Sequence, residues 1–262
     1  MKPVIYIDGQ EGTTGLQIYQ RLGERTDIEL LTIDPARRKD VAERKKLINS
    51  ADLVFLCLPD AAAIEAVSLV ENPAVRIIDA STAHRTHPDW TYGYSELSAA
   101  QKEKIVSTKR LANPGCHATG FISSVAPLVQ AGLIPTDAAL TCCSLTGYSG
   151  GGKGMIADYE ADAVDEKLRS PRIYGLTLSH KHLPEMQAIC GLSTAPVFCP
   201  IVDDYYKGMA TSVMLQNHLL PGSPTAEDIW EALKAHYDGC ALVSVAPLGY
   251  DEPMIADRKS VV

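Results

Sequence analysis

The order of apolar segments constrains this chain most. Short apolar runs at 4–8, 28–33, 53–58 and 75–78 alternate with stretches of helical spacing: Leu16, Ile18, Tyr19 and Leu22, then 42–48, then 61–70. A strand that is apolar throughout is buried on both faces, and such strands separated by helices make a parallel sheet with helices on either side. The predicted fold is therefore α/β, opening with a Rossmann-like parallel-sheet domain over residues 1–112. The 262 residues leave room for a second domain, since one domain takes about 150 residues.

The first apolar run stops at Gly9-Gln10-Glu11-Gly12-Thr13-Thr14-Gly15. The spacing is GxxGxxG rather than GxGxxG, so its position between strand and helix carries more weight than the pattern. Three glycines there let backbone N–H groups meet a pyrophosphate, and a plain turn requires fewer. Asp34 ends the second run, where an acidic residue bonds an adenosine ribose, and Arg37 and Arg38 follow. A guanidinium pair suits a 2′-phosphate, hence NADP rather than NAD. A solvated basic helix start running on through Lys39-Asp40 accounts for it equally well.

The second half carries the chemistry. In Asn113-Pro114-Gly115-Cys116 the cysteine precedes a helical stretch, 121–130, and so sits at a helix N-terminus. The partial positive charge there favours the thiolate, the nucleophilic form. Cys57, Cys142, Cys143, Cys190, Cys199 and Cys240 are read as small apolar residues. A proton partner comes from His180-Lys181-His182-Leu183-Pro184-Glu185-Met186, where an extended segment would turn both histidines to one face. One then shuttles protons and the other orients substrate. The spacing also suits a metal, but with no third ligand cluster no metal site is expected. His84, His87, His218 and His236 read as structural or surface residues.

Two further stretches look like ligand loops. Asp79-Ala80-Ser81-Thr82-Ala83-His84-Arg85 follows a strand end, with Arg85 as an anion clamp. Pro59 and Ser81, which follow the third and fourth strands, are expected cofactor contacts. Gly147-Tyr148-Ser149-Gly150-Gly151-Gly152-Lys153 follows a strand-like run, 140–145, and reads as a flexible loop whose backbone approaches a ligand.

Charge narrows the partners. The net charge is −8 with a pI near 5.4, and no basic block is present, which argues against nucleic acid or an anionic membrane as partner. No apolar run reaches the roughly 18 residues of a membrane span, and the start has no cleavage-site pattern, so no signal peptide is expected. Seven cysteines, an odd number at irregular spacing without a CxxC pair, fit a reduced cytoplasmic protein.

Taken in order, the GxxGxTG turn, DxSxxxR, NPGC, GYSGGGK and HKHLPEM resemble N-acetyl-gamma-glutamyl-phosphate reductase, in its shorter, type 2 branch, over residues 3–255. The resemblance implies a glyceraldehyde-3-phosphate-dehydrogenase-like fold: the NADP-binding Rossmann domain, then an α+β catalytic, substrate and dimerisation domain over 113–256. It implies NADPH-dependent reduction of N-acetyl-L-glutamyl 5-phosphate to the 5-semialdehyde, a step of arginine biosynthesis, in a homodimer or homotetramer. Carried over, Cys116 is the nucleophile and His182 the acid/base. Gly9, Gly12, Thr13, Thr14 and Gly15 bind the dinucleotide, with Asp34 on its ribose and Arg37 and Arg38 near its 2′-phosphate. Arg85, Asn113, Ser149, Gly150, Lys153 and His180 are the expected substrate contacts. His117 departs from the family, in which tyrosine commonly follows the cysteine. An aspartate-semialdehyde dehydrogenase-like reductase is the nearest rival, although HKHLPEM favours the glutamyl branch; an inactive dinucleotide-binding module is the rival of another class.

The family resemblance implies a longer C-terminal segment that returns to the first domain. Here Asp257-Arg258-Lys259-Ser260-Val261-Val262 matches the in-frame translation of a common sequencing adapter followed by a stop codon. The expectation is that residues 257–262 are not natural protein, and that the chain as written is unstable and binds NADPH weakly.

Overall fold

The structure, a computed structural model, describes residues 1–9 and 13–250. The expectations for Gly12 and for the 257–262 tail lie outside the described residues. The chain divides into two compact units: Met1–Tyr94 with Glu103–Pro114, and Ser95–Lys102 with the chain from Gly115 onward.

The first unit holds β1 (Val4–Asp8), β2 (Glu29–Leu31), β3 (Leu53–Leu56), β4 (Arg76–Asp79), β5 (Thr91–Tyr92) and β6 (Arg110–Ala112). They form one sheet in the order β2-β1-β3-β4-β6-β5, every pairing parallel. The connecting helices in sequence are α1 (Thr13–Gly23), α2 (Val41–Ser50) and α3 (Asp60–Ser68), and α4 (Ala99–Ser107) is divided between the units at Lys102/Glu103. Asp40 starts α2 by accepting the N–H groups of Ala42 and Glu43, two of the donors a helix start leaves orphaned. Tyr6, Val54, Leu56 and Ile77 of the strands pack with Ile48 of α2 and with Ala63 and Ala66 of α3. The chain adds strands on both sides of β1, so a crevice opens at the carboxyl ends of β1 and β3, where open α/β sheets bind ligands. β3 stops at Leu56 rather than 58, and Cys57 and Leu58 turn into that crevice.

The second unit is α+β. Its helices are α5 (Cys116–Gln130), α6 (Gly152–Tyr159), α7 (Leu183–Cys190) and α8 (Ala226–His236). Its strands β7 (Thr141–Gly147), β8 (Arg172–Ile173), β9 (Val197–Asp203) and β10 (Met209–Met214) form a sheet in the order β10-β7-β9-β8. β7 and β9 run parallel, and the two outer strands are antiparallel to their neighbours. Cys142, Ser144 and Thr146 of β7 turn inward with Phe198 and Val202 of β9.

α5 carries Pro127 in its interior. Proline has no N–H, so the carbonyl of Ser123, one turn earlier, loses its helical partner. The Tyr237 hydroxyl, beyond α8, donates to that carbonyl at 2.7 Å. Tyr237→Phe leaves a buried carbonyl without this bond and is expected to cost about 1–3 kcal/mol, read as a lower denaturant midpoint at unchanged slope.

Candidate active site

The crevice of the first unit is a cavity of about 660 Å³. Gly9 turns the chain at its rim with φ +86°, and a Cβ there would collide with the Cys57 carbonyl, so only glycine serves. Ile33, Arg38, Lys39, Pro59 and Glu65 line the remainder. Beneath lies a buried ion pair: Arg44 of α2 reaches Asp8 Oδ2 through Nε at 3.1 Å and Nη2 at 3.0 Å, and its Nη1 reaches Glu65 at 3.3 Å. Burial raises the Asp8 pKa, against the pull of Arg44.

Of the expected cations, Arg38 lines the cavity, whereas Arg37 is held outside it by Asp40 at 3.0 Å and Glu43 at 2.8 Å. Lys39, which in sequence figures only in the alternative of a solvated basic helix start, joins Arg38 on the wall. Asp34 accepts the Ala36 N–H at 2.9 Å and caps a short 3₁₀ turn. Pro59 lines the cavity and precedes α3. Gly15 is buried within α1, and Thr13 and Thr14 open that helix. The donor set fits a phosphorylated dinucleotide: a glycine turn at a strand end, apolar walls and two cations facing the same space.

Ser81 is engaged by Asp79, which accepts its N–H at 2.9 Å and its hydroxyl at 2.6 Å. His84 Nδ1 lies 2.6 Å from the same carboxylate, and its ring stacks on Trp90. Arg85, read as an anion clamp, is mostly buried. Its guanidinium donates to the carbonyls of Asn113 at 2.9 Å and Ala80 at 3.3 Å, bracing the end of β4 against Asn113. The Asn113 side chain remains exposed.

In the second unit α5 begins at Cys116, with Gly115 as N-cap and no side-chain cap. The Cys116 thiol is exposed. The other cysteines sit in a different environment. Burial, with the charges of Asp79 and Asp8, pushes Cys57 up to about 12, and burial first of all pushes Cys142 and Cys190 up to about 12. Gly115 donates its N–H to Glu185 Oε2 at 3.0 Å. Glu185 is fully buried in the first turn of α7, where the helix N-terminus stabilises a carboxylate. The sequence reading passed over Glu185; the available signal was an acid in the first turn after His182-Leu183-Pro184.

The expected extended segment at 180–182 is instead a turn. His182 is the N-cap of α7 with φ −88° and ψ −12°, and the Leu183 N–H donates to the His180 carbonyl. The rings still come together, 4.7 Å apart and edge to face. The His182 N–H donates to His180 Nδ1 at 3.2 Å, which leaves the His180 proton on Nε2. Burial and the Lys181 charge lower the His180 pKa. His182 is buried.

His117 lies at the centre of this cluster, its centroid 5.7 Å from those of His180 and His182. Its Nδ1 is 2.7 Å from Ser144 Oγ and its Nε2 is 2.6 Å from the Tyr174 hydroxyl. Burial, aided by His180, pushes its pKa down to about 3. Tyr174 carried no signal in the sequence reading.

The glycine-rich loop folds into regular turns. Residues Tyr148–Gly151 form a 3₁₀ turn that leads into α6. The N–H groups of Tyr148 and Ser149 donate to the Tyr205 and Tyr206 carbonyls. A Cβ on Gly147 would meet that 205–207 backbone, so this glycine permits close packing of two main chains. Gly150 in that turn and Lys153 in the first turn of α6 stay exposed. Among the described residues no group of three His, Cys, Asp or Glu forms a metal site, and no helix is long and apolar enough to cross a membrane.

Because the unfolded chain protonates His117 below about pH 6.5 and the folded chain only near 3, this group costs stability as pH falls through that window and contributes nothing above it. His117→Gln is expected to flatten the acid limb of a plot of Tm against pH; an unchanged limb would show that His117 titrates as an exposed histidine does.

Residues 5–105 match the family model described as semialdehyde dehydrogenase, NAD binding domain. Residues 116–261 match semialdehyde dehydrogenase, dimerisation domain. N-acetyl-gamma-glutamyl-phosphate reductase 2 of Pseudomonas putida is 49% identical over 94% of this chain and 78% of its own length. The N-acetyl-gamma-glutamyl-phosphate reductase of Sinorhizobium medicae is 50% identical over 95% of this chain and 81% of its own. Among solved structures, aspartate semialdehyde dehydrogenase II of Vibrio cholerae, complexed with ASA, superposes with a TM-score of 0.70 at 14% identity, covering 98% of this chain and 84% of that one. At that identity the likeness speaks for the fold alone. The chain belongs to the N-acetyl-gamma-glutamyl-phosphate reductases of the semialdehyde dehydrogenase family.

Proposed function

We propose that this chain reduces N-acetyl-L-glutamyl 5-phosphate to N-acetyl-L-glutamate 5-semialdehyde with NADPH, through a thioester on Cys116, as a step of arginine biosynthesis. The observation that carries the reading is an exposed Cys116 opening α5 beside a turn held by Glu185. Relatives named for this reaction, about half identical over nearly the whole chain, support the substrate.

The helix N-terminus favours the Cys116 thiolate. The thiolate attacks the acyl carbon, and phosphate leaves with the electron pair of the broken C–O bond. Lys153 and Arg85 are the proposed charge partners of that phosphate, with Asn113, Ser149, Gly150 and His180 as further substrate contacts. Backbone N–H groups of the first turn of α5 face the oxyanion of the tetrahedral adduct. When bound, NADPH supplies the hydride that reduces the thioester carbon. His182 gives the resulting oxyanion a proton. It takes that proton back as the C–S bond breaks, releasing aldehyde and restoring the thiolate. His180, neutral and protonated on Nε2, is a hydrogen-bond donor to substrate.

The dinucleotide is proposed to lie in the first unit against Gly9, Gly12, Thr13, Thr14, Gly15, Pro59 and Ser81, with Asp34 on the ribose. Arg38 is assigned to the 2′-phosphate; Lys39 supports it, and Arg37 serves through its ion pairs with Asp40 and Glu43. The proposed functional domains, 1–112 and 113–256, differ from the compact units, whose boundary falls after Pro114 and which group Ser95–Lys102 with the second unit. A homodimer or homotetramer accounts for the apolar outer face of the second sheet, where Ile173, Val197 and Met214 are exposed. A cytoplasmic location is proposed on the cysteine pattern, an odd number at irregular spacing without a CxxC pair.

The test is phosphate-dependent reduction of NADP by N-acetylglutamate semialdehyde. Cys116→Ser is expected to lower turnover by about 10³-fold or more, and His182→Asn by about 10²–10⁴-fold. Full turnover in Cys116→Ser, or preference for aspartate semialdehyde, would refute the reading. For the cofactor, Arg38→Ala is expected to weaken NADPH binding about ten- to a hundredfold, with NADH binding unchanged, measured by titrating nicotinamide fluorescence.

A further inference from the structure

Three charged side chains of the first unit form a line that is buried at one end and open at the other. Asp8 ends β1, and the Arg44 guanidinium of α2 donates to its Oδ2 from Nε at 3.1 Å and from Nη2 at 3.0 Å. Nη1 of the same guanidinium donates to Glu65 Oε2 of α3 at 3.3 Å. The side chains of Asp8 and Arg44 are 4% and 7% exposed, whereas that of Glu65 is 48% exposed. The line therefore ends in an accessible carboxylate on the cavity wall. We propose that Glu65 reads the base of the bound dinucleotide by accepting a hydrogen bond from the exocyclic amino group of adenine, and that Arg44 positions it. The proposal rests on this cavity holding the dinucleotide.

The argument is one of matching donors to acceptors. Arg44 spends Nε, Nη1 and Nη2 on two carboxylates, so Arg38 and Lys39 remain the cations assigned to phosphate. An ionised carboxylate only accepts hydrogen bonds, at about four positions, and the Arg44 bond uses one of them. It repels phosphate, so its partner is a donor set apart from the negative groups of the ligand. In NADPH the 3′-hydroxyl adjoins the 2′-phosphate, and the carboxamide belongs to the nicotinamide half. On the adenosine half the amino group of the base is the donor farthest from negative charge.

The surroundings of Glu65 suit a flat ring. Pro59, Ala62 and Glu65 recur every three residues at the start and along one face of α3, and all three line the cavity. Ile33, after β2, and Leu58, after β3, add apolar surface to the same space. A base buries its faces against walls of this kind and leaves its edge for a polar group. Arg44 holds the carboxylate before the ligand arrives, and Asp8 holds Arg44, so little side-chain freedom is lost on binding. Hypoxanthine differs from adenine at this edge. A carbonyl oxygen replaces the amino group, and its lone pairs meet those of the carboxylate. The N1–H of hypoxanthine lies one ring atom away, out of register with a carboxylate that is already held.

The test is binding of NADPH and of reduced nicotinamide hypoxanthine dinucleotide phosphate, titrated by nicotinamide fluorescence. It uses the full chain as wild type, Glu65→Gln and Glu65→Ala, with thermal unfolding of the ligand-free proteins as a check on folding. The wild type is expected to bind NADPH about ten- to a hundredfold more tightly than the hypoxanthine form. In Glu65→Gln the two affinities are expected to fall within about twofold of each other, because a carboxamide accepts from the amino group and donates to the carbonyl. Glu65→Ala is expected to lose the preference as well, by weaker binding of NADPH. A merely structural ion pair between α2 and α3 lowers Tm in both variants and leaves the preference in place, which overturns the proposal. Equal binding of the two dinucleotides by the wild type overturns it while leaving the cavity as the cofactor site, and this comparison decides alone if the variants fail to fold. A wild type that binds neither overturns the cofactor cavity and the base reading with it.

Discussion

The hydrogen bond between the Glu185 carboxylate and the Gly115 amide ties together most of what the second unit does. It settles where the chain turns into α5, and hence that Cys116, rather than a neighbour, receives the partial positive charge of the helix start. It also anchors α7 by its first turn, and the N-cap of α7 is His182. The proposed nucleophile and the proposed acid/base are therefore positioned from opposite ends of one short link. A buried carboxylate is costly unless it is well partnered, and here the N-terminus of α7 offsets that cost.

The first unit rests on a different constraint. Parallel strands stop at a common edge, and whatever follows each strand end falls into one crevice. Asp8-Gly9 after β1, Ile33 after β2 and Cys57-Leu58-Pro59 after β3 all reach the cavity this way. The Asp8–Arg44 pair makes its floor from charges that α2 and β1 bury together. Further along the same edge, Asp79 holds Ser81 and His84, and Arg85 bonds the carbonyl of Asn113. Polar groups at these strand ends thus serve first to shape loops.

Much of this was legible in the sequence, because it depends on neighbours. Alternating apolar runs and helical periods placed β1 to β4 and α1 to α3 within a few residues, and Pro114-Gly115 ahead of an apolar helix put Cys116 at its start. The misreadings share one cause, which is that the deciding partner was distant. Arg37 and Arg38 look alike in sequence, yet Asp40 and Glu43 take Arg37, while Arg38 and Lys39 turn to the cavity. The GYSGGGK stretch suggested flexibility, but Gly147 is small because the 205–207 backbone passes against it. His180-Lys181-His182 lacks strand-like neighbours and bends into α7, which changes the local conformation but keeps the two rings together.

The sequence by itself determined the class of fold, the succession of strands and helices along the first unit, and the presence of a cysteine at the head of α5. Local propensity and periodicity carry that information within a single element. Only the tertiary structure decided the polar partnerships: Gly115 with Glu185, 70 positions apart, Ser144 with Thr211, 67 apart, and His117 with Tyr174, 57 apart. A histidine in an apolar helix reads the same whether it is core filler or the centre of a polar cluster. Its hydrogen-bond partners distinguish the two, and they arrive from other elements once the sheet and helices have packed.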